Sequence, residues 1–352
     1  MQNPFTTTFS KKPIDTYVNI DAIEKIIENF QYDFPSKSVY KITGVRGSGK
    51  TVLLLEIVRR LKAVDNNFIF ASLTTSRDML LQLLNILQYE FNPKKEKISR
   101  SFSFSTSILG SGASIGYVEE INPEIKDIGI EIEKYLKVLK DENKKLLIVV
   151  DEVLKTNYMM VFASEFNKWL YLGYPVYFIC TGLYNNIMKI GNVANLTFFK
   201  RAVTVKMTSL NLIRMTEMYK LKLKLNHELA YKMAQITKGY AYAFQKLGSL
   251  YFEKKENDTL DDIIPLLKSE LFAFSYCTIW DELTDEERTF VLAMKDKDSY
   301  KREELLINLK NKALNYSVYR DRLLSKGIII DNNHSLSFAL PYFIDYVNDY
   351  CS

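Results

Sequence analysis

The chain has 352 residues, 47% of them hydrophobic and 25% charged, with a formal net charge of +5. At roughly 150 residues per domain that is about two domains, and so much Phe, Tyr, Ile and Leu excludes a disordered chain. No apolar run approaches the ~20 residues of a membrane span. Three scattered cysteines and two histidines exclude a disulfide framework and a His-rich metal site. The mild positive charge permits a nucleic-acid partner without arguing for one.

The N-terminus lacks the apolar core of a signal peptide, so a soluble, cytoplasmic protein with no membrane partner is expected. Residues 20–30 read as a short amphipathic helix with Asp21 as N-cap. Residues 38–45 read as a strand, and Leu53, Leu54, Ile57, Val58 and Leu61 recur at helical spacing. Between them runs Gly44-Val45-Arg46-Gly47-Ser48-Gly49-Lys50-Thr51, which fits G-x-x-x-x-G-K-[ST]. Strand, glycine loop and helix are what phosphate binding needs. Glycines let backbone N–H groups turn inward, and the helix N-terminus adds positive potential. Lys50 is expected to reach the β- and γ-phosphates of ATP, and the Thr51 hydroxyl to ligate Mg²⁺.

Residues 67–73 read as a strand, 76–90 as a helix capped by Ser76, and 123–139 as a further helix. Leu146 to Val150 is a buried parallel strand by its unbroken apolar character. Asp151 and Glu152 sit at its carboxyl end, where α/β sheets place ligands. Asp151 is expected to hold the Mg²⁺ shell, and Glu152 to orient or deprotonate the attacking water. After a helix over 156–172, residues 175–182 form another strand. Its exit residue, Thr181, either touches the γ-phosphate or the lytic water or merely starts a turn before Gly182. Residues 202–207 follow Lys200 and Arg201. Arg201 either reaches the γ-phosphate of a neighbouring copy in a homo-oligomer or is a solvated base. Residues 101–118 interrupt this alternation with a hairpin pattern around Leu-Gly-Ser-Gly, preceded by Lys94, Lys95, Lys97 and Arg100.

Residues 210–274 read as all-helical, a lid after the core. From Leu283 a different pattern begins: Thr284 and Glu287 form a capping box, short helices follow over 301–309 and 316–326, Gly327 is a C-cap, and two strands flank residues 331–334. These are the parts of a winged helix, whose third helix enters the DNA major groove. Arg320, Arg322 and Lys326 on that helix are the candidate contacts to double-stranded DNA. From Cys277 onward, however, ten Lys or Arg face thirteen Asp or Glu, a net of −3. A partner protein is therefore the competing occupant.

The combination of residues 42–51, Val150-Asp-Glu152, residues 180–184, residues 239–245 and residues 319–327 resembles the bacterial and archaeal AAA-type ATPases. It is most similar to the archaeal-ATPase and origin-recognition-like branch, which borders the STAND signalling ATPases. The resemblance implies Walker A roles for Lys50 and Thr51, Walker B roles for Asp151 and Glu152, a first-sensor role for Thr181 and an arginine-finger-like position for Arg201. It also departs from that pattern. Ala241 stands where a STAND lid has proline, and the lid shows no clear second-sensor arginine, Gln245 lying in that neighbourhood. The expected architecture is α/β: a P-loop NTPase core with a parallel sheet (1–207), a helical lid (208–275) and a winged-helix domain (276–352). The expected function is an ATP- and Mg²⁺-dependent ATPase acting as a molecular switch, with slow hydrolysis the consequence expected of the missing lid motifs. An ATP-regulated DNA-binding initiator and a STAND-like signalling scaffold are the alternatives. The excess of Lys over Arg suggests an AT-rich bacterial genome.

Overall fold

The computed structural model describes residues 2–6, 16–32, 35–65, 67–91, 127–193, 196–309 and 315–351. The expected hairpin, the basic residues before it, Lys310 and Lys312 lie outside these. The chain divides into two compact units: one holds residues 21–43 and 51–205, the other residues 1–20, 44–50 and 206–352.

The first is the sheet unit. Its strands are β1 (Val39–Thr43), β2 (Phe68–Leu73), β3 (Lys145–Val150), β4 (Val176–Gly182) and β5 (Val203–Lys206), in the order β2-β3-β4-β1-β5. The β2/β3, β3/β4 and β4/β1 ladders are parallel. Every residue of β3 is buried, which is why it reads as an unbroken apolar run rather than an alternating one. Its helices are α1 (Ala22–Gln31), α2 (Lys50–Val64), α3 (Met79–Phe91), α4 (Ile128–Asp141), α5 (Asn157–Tyr171), α6 (Tyr184–Gly191) and α7 (Thr197–Arg201).

One core joins Leu83, Leu87, Leu136, Phe162, Phe166 and Trp169 to the sheet residues Ile148 and Phe178. A second gathers Phe30 of α1 with Tyr40, Phe68 and Tyr177 in edge-to-face ring contacts. Lys145, nearly buried, donates to the Phe30 and Tyr32 carbonyls at 3.1 and 2.8 Å. A cation is thereby placed on the carbonyl end of α1, where the helix dipole favours it. Local caps fix the other starts: Asp127 accepts from Gly129 N and Ile130 N, and Thr156 from Met159 N. Two expected caps differ. The helix expected from Ser76 is capped by Asp78, which accepts from Leu80 N and Leu81 N, and Asp21 makes no side-chain cap.

The second, helical unit contains α8 (Leu212–Leu223), α9 (His227–Ile236), α10 (Ala241–Glu253) and α11 (Leu260–Leu271). A π-helical turn (Phe272–Tyr276) leads into α12 (Cys277–Asp281). Then come α13 (Asp285–Leu292), β6 (Ser299–Lys301), α14 (Arg302–Asn308), α15 (Tyr316–Lys326), β7 (Ile329–Asn332), β8 (Ser335–Phe338) and α16 (Phe343–Tyr350). The three strands form an antiparallel sheet of order β6-β8-β7. The capping box at Thr284 and Glu287 and the left-handed Gly327 cap are both present. The sequence pattern missed β6, because three residues carry no period, and also α16.

The N-terminal residues belong to this unit. Phe5 is 4% exposed and lies 5.7 Å from the Tyr219 ring and 6.0 Å from the Phe244 ring. It passes so close to α10 that a Cβ on Gly248 would stand 2.4 Å from the Phe5 ring. Gln245 accepts from Thr6 N and Thr16 Oγ1 and donates to Thr16 O at 3.1 Å. Its amide is thus committed to the N-terminal arm, not offered as a substitute for a nucleotide-sensing arginine.

Candidate nucleotide-binding site

In the sheet unit, residues far apart in sequence meet at the carboxyl ends of β3 and β4. Thr51, in the first turn of α2, donates its hydroxyl to Asp151 Oδ2 at 2.8 Å, across 100 positions. The Thr181 hydroxyl donates to the other oxygen, Asp151 Oδ1. Thr181 Oγ1 also accepts from Glu152 N at 3.0 Å, and its carbonyl accepts from Val153 N at 2.8 Å. Parallel register explains the meeting: Val150 stands opposite Cys180, so the residues that follow leave the sheet side by side. Glu152 adopts φ +52°, a left-handed conformation unusual for a side chain with a Cβ. Its carboxylate is exposed while its backbone is pinned by a fully buried threonine. The structure therefore brings Thr51, Asp151, Glu152 and Thr181 together.

The chemistry of this set fits Mg²⁺. A neutral hydroxyl and a carboxylate are hard oxygen donors, and an ion held by one or two protein groups completes its shell with water and phosphate oxygens. Thr51 and Asp151 would hold it, and it would supply positive charge against bound phosphates.

The loop itself, Gly44 to Lys50, belongs to the helical unit. Gly47 and Gly49 have φ +74° and +91°, which is where the loop needs glycine to reverse. Lys50 Nζ donates to Gly44 O and Val45 O at 3.1 and 2.8 Å, turned into the loop. The Ser48 hydroxyl is buried with no hydrogen-bond partner among the described residues. A buried orphan of this kind in a glycine loop marks a place where a ligand's acceptors fit.

These features can be set beside known proteins. Residues 17–174 match the family described as an ATPase domain predominantly from Archaea. Over that stretch the chain is similar to archaeal-type ATPase domains. Residues 275–347 match a domain of unknown function, DUF8462. Among curated proteins no match is found. Among solved structures, the Walker-type ATPase PABY2304 of Pyrococcus abyssi is similar over 98% of this chain and 99% of its own, at 13% identity and a TM-score of 0.65. The Aeropyrum pernix ORC2 protein, in ADPNP–ADP complexes, is similar over 95% and 96%, at 11% identity and a TM-score of 0.58. At such identities the likeness establishes the fold: α/β, with the parallel five-stranded sheet of P-loop ATPases.

The remaining sequence candidates fare differently. Arg201 ends α7 with its side chain exposed. On α15, Arg320 is held by Asp321 at 2.8 Å and by Asp331 of β7. Arg322 stacks its guanidinium 5.4 Å from the Tyr319 ring. Lys326 corrects the expectation made for it. It is 7% exposed, and its ammonium lies 2.6 Å from Glu287 Oε2, itself on a side chain 1% exposed. A buried ion pair of the C-terminal module cannot also contact a DNA phosphate. Helical spacing from a single sequence does not reveal which side of α15 faces Glu287, and the acidic partner lies 39 residues upstream.

Proposed function

We propose that this chain binds ATP with Mg²⁺ and hydrolyses it, and that hydrolysis serves a nucleotide-dependent switch. The observation that carries the reading is the Thr51–Asp151–Thr181 hydrogen-bonded set at the carboxyl ends of two parallel strands. It supplies two metal-side oxygens next to a free carboxylate, Glu152. In this reading Lys50 neutralises phosphate charge. Thr181 acts by fixing Asp151 and the backbone of Glu152. Glu152 takes a proton from, or orients, the water that attacks the γ-phosphate. Arg201, exposed on α7, is open to reach a γ-phosphate in a neighbouring copy. Lys50→Ala tests the reading: ATP affinity, measured by calorimetry, should fall about 10- to 100-fold as charge-assisted contacts are lost. Undiminished affinity would overturn it.

The helix–strand–helix–helix–strand–strand order from α13 to β8, with sheet order β6-β8-β7, supports a winged helix as the switch's output. We read that module as a protein-contact domain in preference to a DNA reader. The side chains of Arg320 and Lys326 are compensated by Asp321, Asp331 and Glu287, so among the described residues of α15 two of the three candidate bases are already matched and release fewer counterions from phosphates. The chain should show no salt-dependent binding to a duplex at low ionic strength. Binding that Arg320→Ala with Arg322→Ala removes would reverse this choice.

A further inference from the structure

Two consecutive peptide groups of the phosphate loop are held by the start of α10. The Tyr240 hydroxyl donates to Arg46 O at 2.7 Å, and Tyr242 N donates to Gly47 O at 3.0 Å. Tyr240 Oη also meets Ser275 Oγ at 2.5 Å. A carbonyl only accepts, so Tyr240 gives its single proton to Arg46 and Ser275 must donate to Tyr240. The order is Ser275 O–H to Tyr240 O–H to Arg46 C=O, a chain in which each bond polarises the next. The approach leaves no room for a side chain at the loop tip: a Cβ on Gly47 would stand 2.3 Å from Tyr240 Oη and 3.0 Å from Tyr242 Cβ.

These contacts bear on phosphate binding through the geometry of the peptide bond. A trans peptide is planar, with its N–H antiparallel to its C=O. Fixing Arg46 O toward Tyr240 therefore turns Gly47 N–H away from the lid. Fixing Gly47 O toward Tyr242 does the same for Ser48 N–H, which is directed at Val45 O across the loop at 3.3 Å. Ser48 N–H is thus spent within the loop, and the inward Gly47 N–H is the kind of group that makes an anion-binding nest. The helical unit's own interior holds the clamp still. Tyr240 is 5% exposed and Ser275 2%. Ser275 stands on the π turn, where the wider winding leaves the consecutive residues Ser275 and Tyr276 both buried. The Tyr276 hydroxyl donates to Pro341 O, anchoring the turn to the C-terminal module.

We propose that Tyr240, backed by Ser275, is a positioning residue for the nucleotide phosphates: it sets the peptide plane that presents Gly47 N–H to them. The proposal rests on the ATP-binding reading given above. It predicts a loss confined to phosphate recognition. In the full chain, Tyr240→Phe keeps the ring and removes the proton donor. Its affinity for ATP and ADP should fall about 5- to 10-fold, the scale of one lost hydrogen bond with a carbonyl left unpaired. Its affinity for adenosine should stay within about twofold, because adenosine brings no phosphate. Ser275→Ala should move ATP affinity in the same direction by less, and the double variant should be no weaker than Tyr240→Phe alone, since both act through one chain of bonds. Unchanged ATP affinity in Tyr240→Phe would overturn the proposal, as would an equal fall for adenosine. The two readings fail separately. If Lys50→Ala loses ATP while Tyr240→Phe does not, only the clamp is wrong; if Lys50→Ala keeps ATP, the nucleotide site and the clamp fall together.

Discussion

Glu152→Gln should bind ATP within about twofold of the parent chain and turn it over at least about 100-fold more slowly, the scale of a positioned general base. The substitution isolates the proton acceptor. Glutamine has the same length and one of the same oxygens, so it can still hydrogen-bond a water but cannot take its proton. Binding should survive because the phosphate loop and the Thr51–Asp151 pair are untouched, and because the contact that holds this position is made by the Glu152 backbone N–H to Thr181, not by its side chain. Single-turnover release of phosphate measured beside equilibrium binding of ATP separates the two effects. Undiminished turnover would show that another group activates the water. Lost binding would show that the exposed carboxylate takes part in holding the nucleotide.

What the sequence made legible follows from range. The phosphate loop is eight consecutive residues with two positions that require positive φ. β3 is six residues of one burial class. Thr284 and Glu287 are one helical turn apart. Each can be read because its cause is local. The parallel order of the sheet was expected in kind from alternating strands and helices, but its register was not, and register is what puts Thr181 on Asp151. The role found for Thr181, holding Asp151 and the backbone of Glu152 together, is one that neither reading left open for it had named. Contacts between distant segments left no pattern at all. Gln245 binds the N-terminal arm across 239 and 229 positions, and Tyr240 reaches Arg46 across 194. A tyrosine beside a glycine at the start of a helix reads as an ordinary core aromatic until the partner carbonyl is seen.

Lys326→Met should destabilise the chain by about 3–5 kcal/mol, the cost of leaving a buried charge without its counter-ion. The magnitude follows from what remains. Glu287 is 1% exposed, and without the ammonium at 2.6 Å its carboxylate keeps the Thr284 N–H at 2.9 Å as its named partner. Lys326 Nζ also donates to Glu282 O at 3.3 Å, so the same change frees a carbonyl near the end of α12. Combining Lys326→Met with Glu287→Gln should recover a large part of the loss, because the amide brings no buried charge and still accepts from Thr284 N. Denaturant unfolding of the full chain, followed on the transition that carries the C-terminal module, reads both effects; a loss below about 1 kcal/mol for Lys326→Met would mean that water reaches Glu287 in solution. Arg322→Ala, on the same helix, should stay within about 0.5 kcal/mol of the parent. The two positions carry the same charge one helical turn apart, but Lys326 is buried against Glu287 while Arg322 is exposed over the Tyr319 ring. The contrast tests which basic residues of that helix belong to the fold and which are left for a partner.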